Sequence, residues 1–292
     1  MGDRCQRRRN LKGEGYIQTN AKIREVSLIM SNPNFDYLTH NCAAWDQQAK
    51  DGEEWSRPVS SDLIEEAQKG KWQIHLTPRS LPPEWLGDVS GKHILCLASA
   101  GGQQAPVLAA AGAKVTVFDI SNQQLQQDRL VAERDGLELK TQQGSMCDLS
   151  CFPKPEFDLI LHPISNLYIP DVNPVWRECY RVLKTGGALL ASFYNPVMFI
   201  GDRDPAYFDL GIIVPRYKLP YSDLEAHTAT ELKAKRERGE AVVFGHTLTD
   251  LIGGQIKAGF SIDGFYEDKQ PNPRFVVDKF MPTFLATRAV KR

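Results

Sequence analysis

The densest functional chemistry in the sequence lies between Ala98 and Asp119. Ala98-Ser99-Ala100-Gly101-Gly102-Gln103 is a run dominated by small residues, which lets backbone N–H groups approach a ligand closely. A helix opening just after such a run turns its positive end toward an anionic group. Asp119 follows at the distance where an acidic residue meets the hydroxyls of a bound ribose, and one carboxylate can accept both hydrogen bonds. A reactive nucleophile is not indicated: the chain contains no GxSxG elbow, no HExxH and no Walker loop. Side chains able to position a substrate or take a proton are His162, Asn166, Tyr194 and His246. A histidine titrates near neutral pH and suits that task best.

These residues need a scaffold, and hydrophobic patterning supplies one from Lys92 onward. Short apolar runs at His93–Leu97, Lys114–Asp119, Leu137–Thr141, Phe157–Leu161 and Ala188–Tyr194 read as strands. Between them, Gln103–Ala111, Gln123–Arg134 and Val172–Lys184 read as helices, the last broken by Gly186-Gly187. Strands alternating with helices imply right-handed crossovers and a doubly wound, mainly parallel sheet. A helix at Thr249–Ala258 and strands at Phe260–Tyr266 and Phe284–Val290 complete the pattern. In such sheets ligands bind beyond the carboxyl ends of the strands, where the 98–103 run and Asp119 both fall.

Two segments stand outside this rhythm. Residues 31–90 carry Trp45, Trp55, Trp72 and Trp85 among prolines, with short helices expected at Asn41–Lys50 and Ser60–Lys69, and read as a helical N-terminal extension or lid. Residues 195–245 read as an insertion into a domain spanning 91–292. Both are expected to close over the site, the tryptophans chiefly packing the extension onto the core, with Trp45 and Trp55 as the alternative wall of a substrate pocket. Within the insertion, Glu231/Lys235 and Lys233/Glu237 have helical spacing and read as a solvated helix face. Residues 1–30 read as a disordered tail, with Met30 as an alternative start.

The 292 residues carry a formal net charge of −1, which lacks the basic surplus of most nucleic-acid enzymes. No nucleic acid or membrane partner is expected: Val26–Met30 is far too short for a membrane span or signal core. The six cysteines are scattered without a CxxC pair. They read as reduced thiols of a cytoplasmic protein, with no metal site.

Five ordered segments carry a family resemblance. Ile94 to Gly102, Val115-Thr116-Val117-Phe118-Asp119, Gln143-Gly144-Ser145-Met146, Phe157-Asp158-Leu159-Ile160 and Leu183-Lys184-Thr185-Gly186-Gly187 resemble the motifs of class I S-adenosylmethionine-dependent methyltransferases. The resemblance covers 92–194 well and 249–290 more loosely, and is closest to the small-molecule branch that includes ubiquinone/menaquinone-type and type 11 methyltransferases. It implies an α/β fold with a seven-stranded sheet, its last strand antiparallel, and S-adenosyl-L-methionine as cofactor. Carried onto this chain, Ala98, Ser99, Ala100, Gly101, Gly102 and Gln103 would hold the methionine end. Asp119 with Ile120 would hold the ribose, and Ser145 with Met146 the adenine edge. His162 would lie near the methyl, either as a base or as a structural histidine hydrogen-bonding to the loop or cofactor, with Asn166 as an orienting group.

The chain departs from the family pattern at three places. Cys96 stands where an acidic residue is usual in the first strand, Ala98 and Ala100 replace loop glycines, and Ser145 replaces an acid near the adenine. Alanine is harmless there at negative φ and strained at positive φ. The implied reaction is methyl transfer by in-line displacement to a small-molecule acceptor. An RNA or protein methyltransferase and an inactive adenosyl-binding protein remain alternatives. A nicotinamide enzyme fits poorly, because that fingerprint needs three spaced glycines.

Overall fold

The computed structural model describes residues 35–202 and 204–292; the expected tail at 1–30 lies outside them. The N-terminal extension supplies α1 (Tyr37–Asp51), α2 (Ser61–Gln68) and the short α3 (Pro83–Leu86). Both longer helices start on side-chain caps: Asp36 accepts from the Thr39 amide, and Ser60 accepts from the Leu63 amide. The repeating unit follows as β1 (His93–Leu97), α4 (Gln104–Ala110), β2 (Lys114–Asp119), α5 (Asn122–Asp135), β3 (Leu139–Gln143) and β4 (Phe157–His162). Then come α6 (Asn173–Val182) and β5 (Leu183–Tyr194).

The insertion holds α7 (Pro205–Leu210), a ribbon of β6 (Tyr221–Ser222) with β7 (Phe244–Gly245), and between them α8 (Asp223–Ala226) and α9 (Ala229–Glu237). A π-helical turn at Thr249–Gly253 leads into α10 (Gly254–Ala258), β8 (Phe260–Asp268) and β9 (Phe284–Lys291).

The sheet has seven strands in the order β3-β2-β1-β4-β5-β9-β8. Neighbours from β3 to β5 run parallel, and β9 is antiparallel to both β5 and β8. The strand order reverses between β1 and β4, which opens the crevice where ligands bind. Alternate strand residues feed two cores. Ile94, Cys96, Val115, Val117 and Leu161 pack under α2, α4 and α5. Leu95, Leu97, Phe118, Ile160 and Phe193 pack around Trp176 of α6. Trp176 is wholly buried and donates from Nε1 to the Asp250 carbonyl at 2.9 Å. Each fully buried side chain of this size contributes about 1.5–3 kcal/mol.

Three expectations need correction. Gly186-Gly187 does not separate α6 from a later strand. The strand starts at Leu183, and the glycines sit where its register against β4 jumps from Phe157↔Leu183 to Leu159↔Ala188. Strand β3 begins two residues late, because the Leu137 amide still caps α5 at the Ala132 carbonyl. In α9 the pair Lys233–Glu237 forms at 3.8 Å, but Lys235 turns inward to the buried Asp223 at 2.8 Å. Asp223 also accepts from the Tyr221 hydroxyl at 2.7 Å and the Val243 amide at 2.8 Å, which ties the insertion together.

Candidate active site

The end of β1 feeds a tightly bent loop. Ala98 has φ 47° and Ala100 φ 63°, so both alanines lie in the left-handed region that disfavours side chains. Gly101 fits because a Cβ there would meet the Gln124 carbonyl oxygen of α5 at 2.1 Å. The bend is therefore pressed onto the start of α5, and strain is accepted at the two alanines. Both alanines line a cavity of about 590 Å³, and Ala98 also packs against the Trp176 core.

Two anchors fix the bend. The Gly102 amide donates to Oδ1 of the buried Asp128 at 2.8 Å. The His162 ring, at the end of β4, is 3.0 Å from the Leu97 carbonyl through Nδ1, so that nitrogen carries the proton and donates. Neither Asp128 nor the Gln124 contact was found from the sequence. The only available signal was the missing acid at Cys96, whose thiol burial and the nearby Asp128 push upward.

Of the residues expected to hold the cofactor, Ala98, Ser99, Ala100, Gln103, Asp119, Ile120, Ser145 and Met146 share this cavity. Gly101 and Gly102 stand behind it as the packing side of the bend. Asp119 ends β2 with Oδ1 accepting from the Ser121 amide at 2.8 Å. Burial raises its carboxyl to about 6, with neighbouring Asp46 also raising it and the Ser121 amide opposing. The Ser99 hydroxyl and Gln124 Oε1 are buried without a hydrogen-bond partner among the described residues, and both residues line the cavity. Two orphaned polar atoms beside an ionisable carboxyl suit a polar, hydroxyl-bearing ligand such as an adenosyl group.

His162 and Asn166 do not reach the cavity. His162 is wholly buried against the Trp176 ring, with centroids 6.0 Å apart, and burial lowers its pKa to about 4. The reason is strand parity: it is the last residue of β4 rather than part of the following loop, and its side chain falls on the Trp176 face. Asn166 donates to the Ser192 carbonyl at 2.8 Å, and its own carbonyl accepts from His246 at 2.9 Å. Both residues brace the floor of the site. The histidine that does line the cavity is His75, from the N-terminal extension.

Residues of the N-terminal extension line the cavity. Leu38, Asn41, Trp45 and Trp55 line the cavity, and Trp45 meets Tyr168 edge-on at 5.1 Å. Cys42 donates to the Ile120 carbonyl at 3.2 Å, and Asp46 accepts from the Ser121 hydroxyl at 2.6 Å. The insertion acts from behind rather than lining the cavity. Asn41 bonds the Tyr168 carbonyl at 3.0 Å and the Val242 carbonyl and amide at 3.1 and 2.9 Å, holding α1 between site and insertion. Also missed was the β8–β9 loop, which contributes Gln270, Pro271, Asn272 and Arg274. Among the described residues no three His, Cys, Asp or Glu side chains cluster as metal ligands.

Comparison with known proteins agrees with this geometry. Residues 95–191 match a family model described as a methyltransferase domain. Over 255 residues the chain is 48% identical to the uncharacterized methyltransferase YbaJ of Bacillus subtilis, covering 87% of this chain and 98% of that one. The chain belongs to the class I S-adenosylmethionine-dependent methyltransferases.

This methyltransferase is also 28% identical over 173 residues to a ubiquinone biosynthesis O-methyltransferase of Pseudomonas putida, 58% of this chain and 72% of that one. Its fold matches the crystal structure of an S-adenosylmethionine-dependent methyltransferase from Mesorhizobium loti, with TM-score 0.57, 21% identity, and 71% and 94% of the two chains covered. The cofactor is S-adenosyl-L-methionine. No helix among the described residues is long and apolar enough to cross a membrane.

Proposed function

We propose that this methyltransferase transfers a methyl group to a small-molecule acceptor held in the same cavity as the cofactor. The observation that carries this reading is the continuity of the cavity. It runs from Ser99, Asp119 and Met146 to a second end lined by Tyr168, Tyr194 and Phe284. A volume of about 590 Å³ lies in the range of small-ligand sites. The neutral overall charge and the small-molecule role in the name of the Pseudomonas relative support the same class.

Asp119 would hold the ribose hydroxyls, the 98–103 bend the methionine end, and Ser145 with Met146 the adenine. S-adenosyl-L-methionine, when bound, supplies an electrophilic methyl on a sulfonium, which an acceptor takes by in-line displacement. The protein's own contribution is to orient the acceptor and exclude water, and positioning of this sort is worth on the order of 7 kcal/mol in favourable cases. Trp45 and Trp55 wall the pocket, and α1 closes it from the α5 side. Where an acceptor must lose a proton, His75 is the imidazole available to take it; His162 serves as a brace for the Leu97–Ala98 junction.

The test is calorimetry with S-adenosylmethionine and S-adenosylhomocysteine, followed by transfer of labelled methyl into fractionated cell extract. Label should enter the low-molecular-weight fraction. Label confined to RNA or protein, with cofactor bound, would overturn the small-molecule reading.

A further inference from the structure

The two ends of the cavity differ in charge and in wall. Cofactor-binding positions gather over the carboxyl ends of β3, β2 and β1. The other end is built from the chain after β4, the tip of β5 and the β8–β9 loop. Its walls are aromatic: Tyr194 lies against Phe284 with centroids 5.1 Å apart, and Tyr168 against Trp45 at the same separation. Arg274 is the single lysine or arginine among the residues lining the cavity.

Arg274 is an exposed cation at the cavity wall. Its Nη2 donates to the Tyr194 hydroxyl at 2.8 Å, which orients the guanidinium at the cavity wall. Its backbone amide is fixed by Asp278 Oδ2 at 2.9 Å, so the loop is anchored beneath it. Arg134, Arg181, Arg216, Arg238 and Arg288 each hold a carboxylate. Among the described residues no carboxylate lies within ion-pairing distance of the Arg274 side chain. A guanidinium has five N–H donors in a planar fork suited to oxyanions, and one bond to a phenol leaves most of them free.

From this placement we infer that the methyl acceptor is a small acid, a carboxylate or phosphate group on an apolar body, with the acidic group gripped by Arg274. The aromatic walls receive the body, and the Tyr194 hydroxyl fixes the guanidinium that receives the charge. This inference rests on the methyltransferase reading of the same cavity. Arg274 bonds Tyr194 at the tip of β5, whereas the bend assigned to the methionine end of the cofactor follows β1.

The test uses the full chain. Metabolite extract is incubated with enzyme and labelled S-adenosylmethionine, and labelled product is passed over an anion exchanger before and after alkaline phosphatase. The product should be retained, and loss of retention after phosphatase identifies the acid as a phosphate rather than a carboxylate. With the retained fraction as substrate, Arg274→Gln should raise KM at least tenfold, Arg274→Lys should restore part of the loss, and cofactor affinity by calorimetry should not move. A neutral labelled product, an unchanged KM, or a loss of cofactor affinity in Arg274→Gln overturns the inference while leaving the enzyme a methyltransferase. Absence of any labelled product despite cofactor binding overturns the catalytic reading, and this inference with it.

Discussion

Oδ1 of Asp128 accepts a 2.8 Å hydrogen bond from the Gly102 amide, so a helix residue holds the 98–102 bend from behind. The first strand offers Cys96 where the family usually has an acid, and Asp128 lies close enough to raise the Cys96 thiol. Burial raises the Asp128 carboxyl well above the usual carboxylate range, and its Oδ2 has no partner among the described residues. Asp128→Ala strands a buried amide, which costs about 1–3 kcal/mol. Asp128→Asn keeps a neutral acceptor in place. Thermal unfolding and cofactor calorimetry should show the alanine variant weakened in both and the asparagine variant close to wild type. Equal behaviour of the alanine variant and wild type would remove Asp128 as the support of the bend.

Cofactor affinity should depend on pH through Asp119. Burial raises its folded-state pKa to about 6, above the ordinary carboxylate value. Ribose hydroxyls donate to the ionised form, so affinity should fall as pH drops through about 6. The same burial works against folding once the group ionises. The contribution of Asp119 to stability of the free protein is therefore most favourable below the unfolded value and shrinks as pH rises toward about 6. Calorimetric titrations between pH 5 and pH 8, a range chosen about that value, should show the fall in wild type and a flat, weak response in Asp119→Asn.

The alanines at 98 and 100 carry removable strain. A left-handed non-glycine residue costs roughly 1–2 kcal/mol, and glycine gives back about 0.5–1 kcal/mol in unfolded-state entropy. The double variant Ala98→Gly/Ala100→Gly should gain about 1 kcal/mol and a few degrees in Tm. Scanning calorimetry decides it; a lower Tm would show that the alanine methyls contribute packing worth more than the strain.

Histidines 75 and 162 should separate cleanly. His162→Ala leaves the Leu97 carbonyl without its donor and opens a void beside Trp176, at a cost of about 2–4 kcal/mol. His75 is only half-buried, so His75→Ala should change stability by roughly 0.5 kcal/mol or less. Its turnover of a proton-bearing acceptor should fall roughly tenfold or more. Melting curves and single-substrate kinetics on the two variants would show the reverse ranking if His162 were the base.

The alternation of strand and helix from His93 onward was legible because period-two apolar runs and capping residues act locally, and right-handed crossovers leave few topologies. Asp119 and the small-residue bend were legible for the same reason: each falls at the end of an apolar run. Strand ends were less so. One residue of difference put His162 on β4, and a period of two then turned its ring to the Trp176 side instead of the crevice. Lys235 likewise has helical spacing to Glu231, yet the buried charge of Asp223 draws it inward.

What the sequence by itself determined is the sheet, the family and the acid at the end of β2, since each is written in neighbouring residues. Only the tertiary structure decided that Asp128 supports the bend in place of an acid in β1, that His75 rather than His162 reaches the cavity, and that Arg274 closes its far end. Those groups come from the extension, a helix face and the β8–β9 loop. Long-range packing alone brings them together, and no local pattern in the chain encodes a contact between residues so far apart.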